Sequence, residues 1–240
     1  MRENESVQQP GEGGNEPFER VANLRARWDP VDATFPDHLK YEGICARMYR
    51  AFSWLERVEE LADRDGERSA DDQLILAWTA LNSLYGKWDA DRNEPERDVP
   101  SLIEFTDHLF EIDKEEALIG QLGEQQSEVL ELLDNQFLSR QFWNAPDIDK
   151  AAKKTKLRHS ARTWYIEKRH RLILEKLLRN VYYMRCQLVH GAATRGSSLN
   201  RDTLGPCLRV LRLFLPTMLG IVIDHGHRDD WGPVCYPVVK

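Results

Sequence analysis

An all-α bundle is the fold class that this sequence predicts, on three observations. From Asp37 onward apolar residues recur at steps of three and four almost everywhere, the spacing that lines one face of a helix. No run of alternating apolar and polar residues is long enough for a sheet. Glycine, proline and capping residues fall between the periodic stretches rather than inside strands. The chain has 240 residues, 41% of them hydrophobic, enough to bury a core in one domain with a tail.

Residues 1–36 lack periodicity, and Gln9 to Asn15 is flexible in composition. They predict a disordered start followed by an irregular arm, punctuated by Pro30 and Pro36, that packs through Phe18, Trp28 and Phe35. Residues 37–240 predict a single helical domain. Asp37 is a candidate N-cap for a helix carrying Tyr41, Ile44, Met48, Phe52, Leu55 and Val58, which Asp65-Gly66 ends. Ser69 with Asp72 resembles a capping box before Leu74, Trp78, Leu81, Tyr85 and Trp88. Asp89 to Pro100 reads as polar loop, and Ser101 with Glu104 as a second box before Phe105, Leu109 and Ile112. A less regular helix spans about Gln126 to Phe142, broken by Pro146. The longest segment, about Ser160 to His190, would make one helix of ~45 Å, with Gly191 where a left-handed cap is expected. Asn200 can cap a last helix through Leu208, Leu211, Leu215 and Leu219, with a kink at Pro216. The tail after Asp224 reads as an extended strap over the bundle.

The formal charge is −7, which argues against a generic nucleic-acid binder. The total conceals a division. Residues 1–149 carry 15 basic and 34 acidic side chains, whereas residues 150–212 carry 16 basic and 3 acidic. Such polarity speaks to partners rather than to fold. The longest apolar run, Leu213 to Ile223, is interrupted by Pro216 and is too short to span a bilayer, so no membrane association is expected. The acidic N-terminus has the pattern of neither a secretory signal nor a transit peptide. Cys45, Cys186, Cys207 and Cys235 are far apart, which favours a reducing cytoplasm over a disulfide framework or zinc site.

Nucleotide-binding glycine loops, the serine-hydrolase elbow and zinc-protease motifs are all absent from the sequence. His225-Gly226-His227 reads as a solvated loop rather than a metal site, so neither metal nor cofactor is implied. The informative stretch is Arg185-Cys186-Gln187-Leu188-Val189-His190-Gly191. A histidine at a helix C-terminus is favoured as imidazolium and suits proton transfer near neutral pH. An arginine suits a phosphate and the charge that grows on it. Together they could promote attack of an RNA 2′-hydroxyl on its neighbouring phosphate without a metal. Five residues of ideal helix leave the two about 140° apart, so the helix end must turn His190 for them to converge. On spacing alone, a helix end with Arg185 paired to a carboxylate is the simpler reading. The basic run Lys153, Lys154, Lys156, Arg158, Arg162, Lys168, Arg169 and Arg171 reads either as a phosphate track or as a solvated face that pairs with the acidic half. Trp164, Tyr165, Tyr182 and Tyr183 interleave with it and serve either base stacking or the core.

Arg185 to Gly191 resembles the R-x4–6-H-G signature of the HEPN superfamily. Leu76 to Gly86 resembles that family's early helix. Asn200-Arg201-Asp202, Asp230 to Pro233 and Tyr236 to Val239 resemble a bacterial, Apea-like subgroup, and the likeness runs from about Tyr41 to the end. The resemblance implies a HEPN-like helical bundle that forms a homodimer with two motifs facing one cleft. It implies a metal-independent endoribonuclease, of the kind found among toxins and antiphage factors, with RNA and an antitoxin protein as partners. The catalytic roles fall on Arg185 and His190, and substrate contacts on Asn82, Cys186, Lys168, Arg169 and Arg171. The family commonly has a polar residue, often asparagine, where Cys186 stands. A thiol lacks an amide's donors and acceptor. The alternative is therefore a non-catalytic HEPN module that binds RNA, a nucleotide or a partner protein.

Overall fold

The computed structural model describes residues 19–35, 38–139, 157–191 and 201–236, and these form an all-α bundle. The arm is helical. In α1 (Val21–Asp32), Val21, Leu24 and Trp28 share one buried stripe, and Pro30 falls in the last turn, where it removes one hydrogen bond just before the helix ends. No side chain of Arg20 caps α1. Instead the Glu59 carboxylate of the next helix accepts from Val21 N–H at 2.9 Å. This trans cap explains an ordered helix where local sequence predicts an irregular segment. Pro36 and Asp37 lie outside the described residues, as do Phe18 and residues 1–18.

Helix α2 (His38–Asp65) runs 28 residues and ends, as expected, at Gly66 with φ +55. A 3-10 turn, Gly66–Ser69, leads into α3 (Ala70–Tyr85). The expected capping box at Ser69 is not made. Its hydroxyl donates backwards to Leu61 O and Gly66 O, sealing the end of α2. Residues 89–100 are not wholly loop. They contain most of a small antiparallel hairpin, β1 (Trp88–Asp89) and β2 (Glu94–Pro95), too short to show alternation. Helix α4 (Asp98–Ile112) starts three residues before the predicted box, with Pro100 in its first turn. Ser101 donates to Glu96 and Glu104 pairs with Lys87 instead.

Helix α5 (Ala117–Glu124) precedes the predicted helix, which is itself shorter than expected: α6 (Gln126–Leu133) ends at Leu133 and a 3-10 turn, Gln136–Leu138, follows. Pro146 lies outside the described residues. The predicted 45 Å helix is broken in two, α7 (Leu157–Ile166) and α8 (His170–Val189). Lys168 takes φ +55, with Lys168 N–H on Tyr165 O at 3.1 Å and Arg169 N–H on Trp164 O at 2.8 Å. That paired bond closes a helix end. Helix α9 (Arg201–Ile221) carries both Pro206 and Pro216 and ends in a single wider turn, Val222–Gly226. Asn200 lies outside the described residues.

Helix α3 is central, packed by α2, α4, α8 and α9. Trp28, Phe52, Trp78, Tyr85 and Phe214 fill the core around it. The span Asp202–Gly226 is long and apolar enough to cross a bilayer by length and composition, a possibility the run Leu213 to Ile223 alone did not suggest. In the fold 72% of its apolar 18-residue window is buried inside the bundle, so its apolar surface is used against the other helices. After it the chain crosses the bundle as the predicted strap. Val234 bridges Lys87, and Cys235 N–H reaches Gly86 O at 3.2 Å.

Candidate functional site

The site is built where the end of α3, the start of α4 and the C-terminal half of α8 meet. On α3, Asn82 and Tyr85 are three residues apart and so share a flank. Asn82 Nδ2 donates to the Tyr85 hydroxyl at 2.9 Å and to Asp98 Oδ1 at 3.0 Å. The Tyr85 hydroxyl also donates to Asp98 Oδ1, at 3.3 Å. Asp98 is the first residue of α4, so its backbone is held by a helix while two donors orient its side chain. Asp98 Oδ2 has no partner among the described residues.

Tyr182, Arg185 and Cys186 lie in the C-terminal half of α8. Tyr182 packs on Trp78, ring centres 5.6 Å apart, and Trp78 in turn meets Tyr85 edge-on at 6.3 Å. Burial, then the Asp98 charge, pushes the Tyr85 phenol well above its ordinary range, while Arg185 opposes the shift. Burial pushes Tyr182 up to about 12, helped by a hydrogen bond with Cys186 and by Asp98, and again opposed by Arg185. Both phenols are therefore neutral near pH 7. The same two hydroxyls feel both charges, yet Arg185 and Asp98 form no ion pair. Arg185 is half-buried and makes no side-chain hydrogen bond or ion pair among the described residues. No carboxylate among the described residues pairs with Arg185.

His190 is exposed and caps α8 with φ −87, and Gly191 takes the left-handed turn at φ +72, as expected. The helix stays regular to Val189, so the turn comes after the histidine. Arg185 and His190 remain on different flanks of one helix, about 140° apart. Cys186, four residues before His190, shares its flank instead.

Asn82 is bonded to Tyr85 and Asp98, and Cys186 to Tyr182, one turn before Arg185 on α8. Lys168, Arg169 and Arg171 are not brought to Arg185. Arg171 and Arg185 are 14 residues apart on α8, about 21 Å. Lys168 and Arg169 are exposed at the α7–α8 break. Arg169 pairs with Glu167 at 2.7 Å, and Arg171 lies over Phe110 near Asp107 and Glu111 of α4. Lys153, Lys154 and Lys156 lie outside the described residues, and so does the side chain of Arg158.

Sequence reasoning missed Asp98, placed in a polar loop, and Tyr85, read as core. Pro100 in the first turn of α4 was the available signal for the former, and the Asn82-x-x-Tyr85 spacing for the latter. It also missed Arg47, which is 1% exposed. Arg47 Nη1 donates to Leu84 O and Gly86 O, both at 2.7 Å. Nη2 donates to Trp231 O, Gly232 O and Pro233 O at 3.0 to 3.2 Å. The end of α3 that carries Asn82 and Tyr85 is thus clamped to the strap.

Beside the clamp a cavity of about 310 Å³ is lined by Tyr85, Lys87, Glu104, Asp107, Glu111 and Asp230 among others. Its carboxylates outnumber its cations, so it disfavours a phosphate. The His225–His227 segment is engaged within the fold, His225 with Glu115 and His227 with Ile223 O. Among the described residues no three metal-ligating side chains cluster. Compared with known proteins, the chain matches no family model, no curated protein and no solved structure.

Proposed function

We propose that the chain is a metal-independent endoribonuclease of the HEPN kind. The observation that supports the reading is Arg185, a half-buried guanidinium with no carboxylate on it among the described residues, five residues before an exposed histidine at a helix end. Arg185 holds the scissile phosphate and stabilises its growing charge. His190 exchanges a proton at the 2′-hydroxyl or at the leaving 5′-oxygen. The 2′-oxygen bonds to phosphorus as the bond to the 5′-oxygen breaks, leaving a 2′,3′-cyclic phosphate and a 5′-hydroxyl. Because the two side chains lie on different flanks of α8, the proposed arrangement is a homodimer in which a second copy supplies the facing motif.

The test is incubation of purified protein with mixed RNA in excess chelator. Cleavage to cyclic-phosphate ends is expected, falling at least about a hundredfold in His190→Ala and in Arg185→Ala. Equal cleavage by His190→Ala sinks the catalytic reading. A second reading, a module that binds RNA without cutting it, is favoured by Cys186, whose partner is Tyr182. Salt-sensitive RNA binding that survives Arg185→Ala, with no cleavage, is its signature.

A further inference from the structure

A second cavity, of about 350 Å³, lies between α2 and the segment that follows α9. Gly43 and Arg47 line it from α2, and Arg228, Asp229 and Asp230 from the other side. Arg47 is 1% exposed. Its five hydrogen bonds run from Nη1 and Nη2 to backbone carbonyls, and its Nε is buried without a partner. Carbonyl dipoles solvate such a charge but do not cancel it, so a buried guanidinium gains from an anion. Arg228 is exposed and makes no side-chain hydrogen bond or ion pair among the described residues. The two carboxylates are each engaged through one oxygen. Asp229 Oδ2 lies 2.9 Å from His108 Nε2, and Asp230 Oδ1 accepts from Gly232 N–H at 2.8 Å.

Two guanidiniums and two carboxylates thus share one small cavity. A phosphate entering it meets two carboxylates, and a polyamine meets two guanidiniums. A molecule with one charge of each sign meets neither obstacle. Gly43 points to an occupant as well. It stands inside α2, where glycine weakens a helix. Its φ is not positive, and a Cβ there would meet only Val234 Cγ2 at 3.9 Å, an ordinary contact. Neither backbone conformation nor crowding calls for glycine, and what the missing side chain does is keep the cavity open. Its volume is at the lower end of the ~300–1,000 Å³ typical of small-molecule sites.

We propose that this cavity binds a free α-amino acid, its carboxylate set against Arg47 and Arg228 and its ammonium against Asp229 and Asp230. Tyr41, Ile44 and Trp231 complete the wall, which suits an apolar or aromatic side chain. None of Asn82, Arg185 and His190 lines this cavity, so its occupancy does not depend on the nuclease reading.

The test is isothermal titration of the full chain with L-leucine and L-phenylalanine. Binding at about millimolar Kd or tighter is expected for at least one. N-acetyl-L-leucine lacks the ammonium and L-leucinamide lacks the carboxylate, so each should bind at least about tenfold more weakly than L-leucine. Arg228→Ala should weaken the parent amino acid by a similar factor. Gly43→Leu should abolish binding by filling the space, with a urea midpoint no lower than that of the native chain. Heat from neither amino acid at about ten times that concentration overturns the proposal. So does either comparator binding as tightly as L-leucine, which marks a site for a single charge. Arg228 is exposed, so its variant decides the placement even if Gly43→Leu does not fold: binding unchanged in Arg228→Ala puts the amino acid elsewhere.

Discussion

Arg47 shows what one buried side chain does for this fold. Its guanidinium meets five backbone carbonyls and no carboxylate, and burial lowers its pKa to about 10, which still leaves it charged at neutral pH. Arg47→Ala removes the donors and leaves buried carbonyls unsatisfied, so we expect a loss of about 3–5 kcal/mol in urea unfolding. Arg47→Lys should recover only part of it, because a point ammonium cannot span the two carbonyl sets that the planar fork reaches. Nothing local in the sequence marks this arginine. Its partners lie 37 to 186 residues away, and a buried arginine is indistinguishable from a surface one until those carbonyls are placed. Arg185, by contrast, is singled out by its neighbours in the same helix, His190 and Gly191.

At the level of elements, helix existence was readable and helix ends were less so. Gly66 and Gly191 are C-terminal glycines at positive φ, a need that side-chain chemistry expresses directly. The break between α7 and α8 has no such marker, since Lys168 fills the left-handed position. The apolar period continues across it, so the segment read as one helix. Strain at a non-glycine residue there costs about 1 kcal/mol. Lys168→Gly should therefore raise stability by up to about that amount, measured as a shift in urea midpoint at unchanged slope. The two predicted capping boxes failed for a related reason. A serine three residues before an acid is a local pattern, whereas Ser69 and Ser101 answer to partners set by the packing of α2 and the hairpin.

Across the whole molecule the charge division resolves into contacts. Arg171 reaches Asp107 and Glu111, and Arg209 reaches Glu128, so part of the basic segment meets the acidic half. For Arg171 the paired reading of the basic run is the one the contacts support. The fold also has a preference in protonation. Burial and a hydrogen bond to Asp32 push the Cys45 thiol up to about 12. The same carboxylate, then burial, raises the Tyr49 phenol to about 12. Burial does the same for Tyr165 and Tyr182. Each group is neutral when folded and ionises more easily when unfolded. Their contribution is complete below the ordinary values of 9.0 for the thiol and 10.0 for the phenols, and is lost as pH rises toward 12. Urea midpoints should therefore fall between about pH 8 and about pH 11, and Cys45→Ala should flatten part of that fall. A midpoint independent of pH over this interval would contradict the assignment.

The strap gives the molecule an order of assembly. Gly86 and Cys235 are hydrogen-bonded, yet they leave the ribosome roughly ten to thirty seconds apart at ordinary rates of synthesis. A growing chain thus holds α3, α4 and α8 well before it holds Trp231 to Tyr236. Until the strap is made, Arg47 Nη2 lacks its three carbonyl partners at Trp231, Gly232 and Pro233. The segment bearing Asn82 and Tyr85 is finished by strap residues made well after it, so translation itself sets the earliest moment at which that end of α3 becomes rigid.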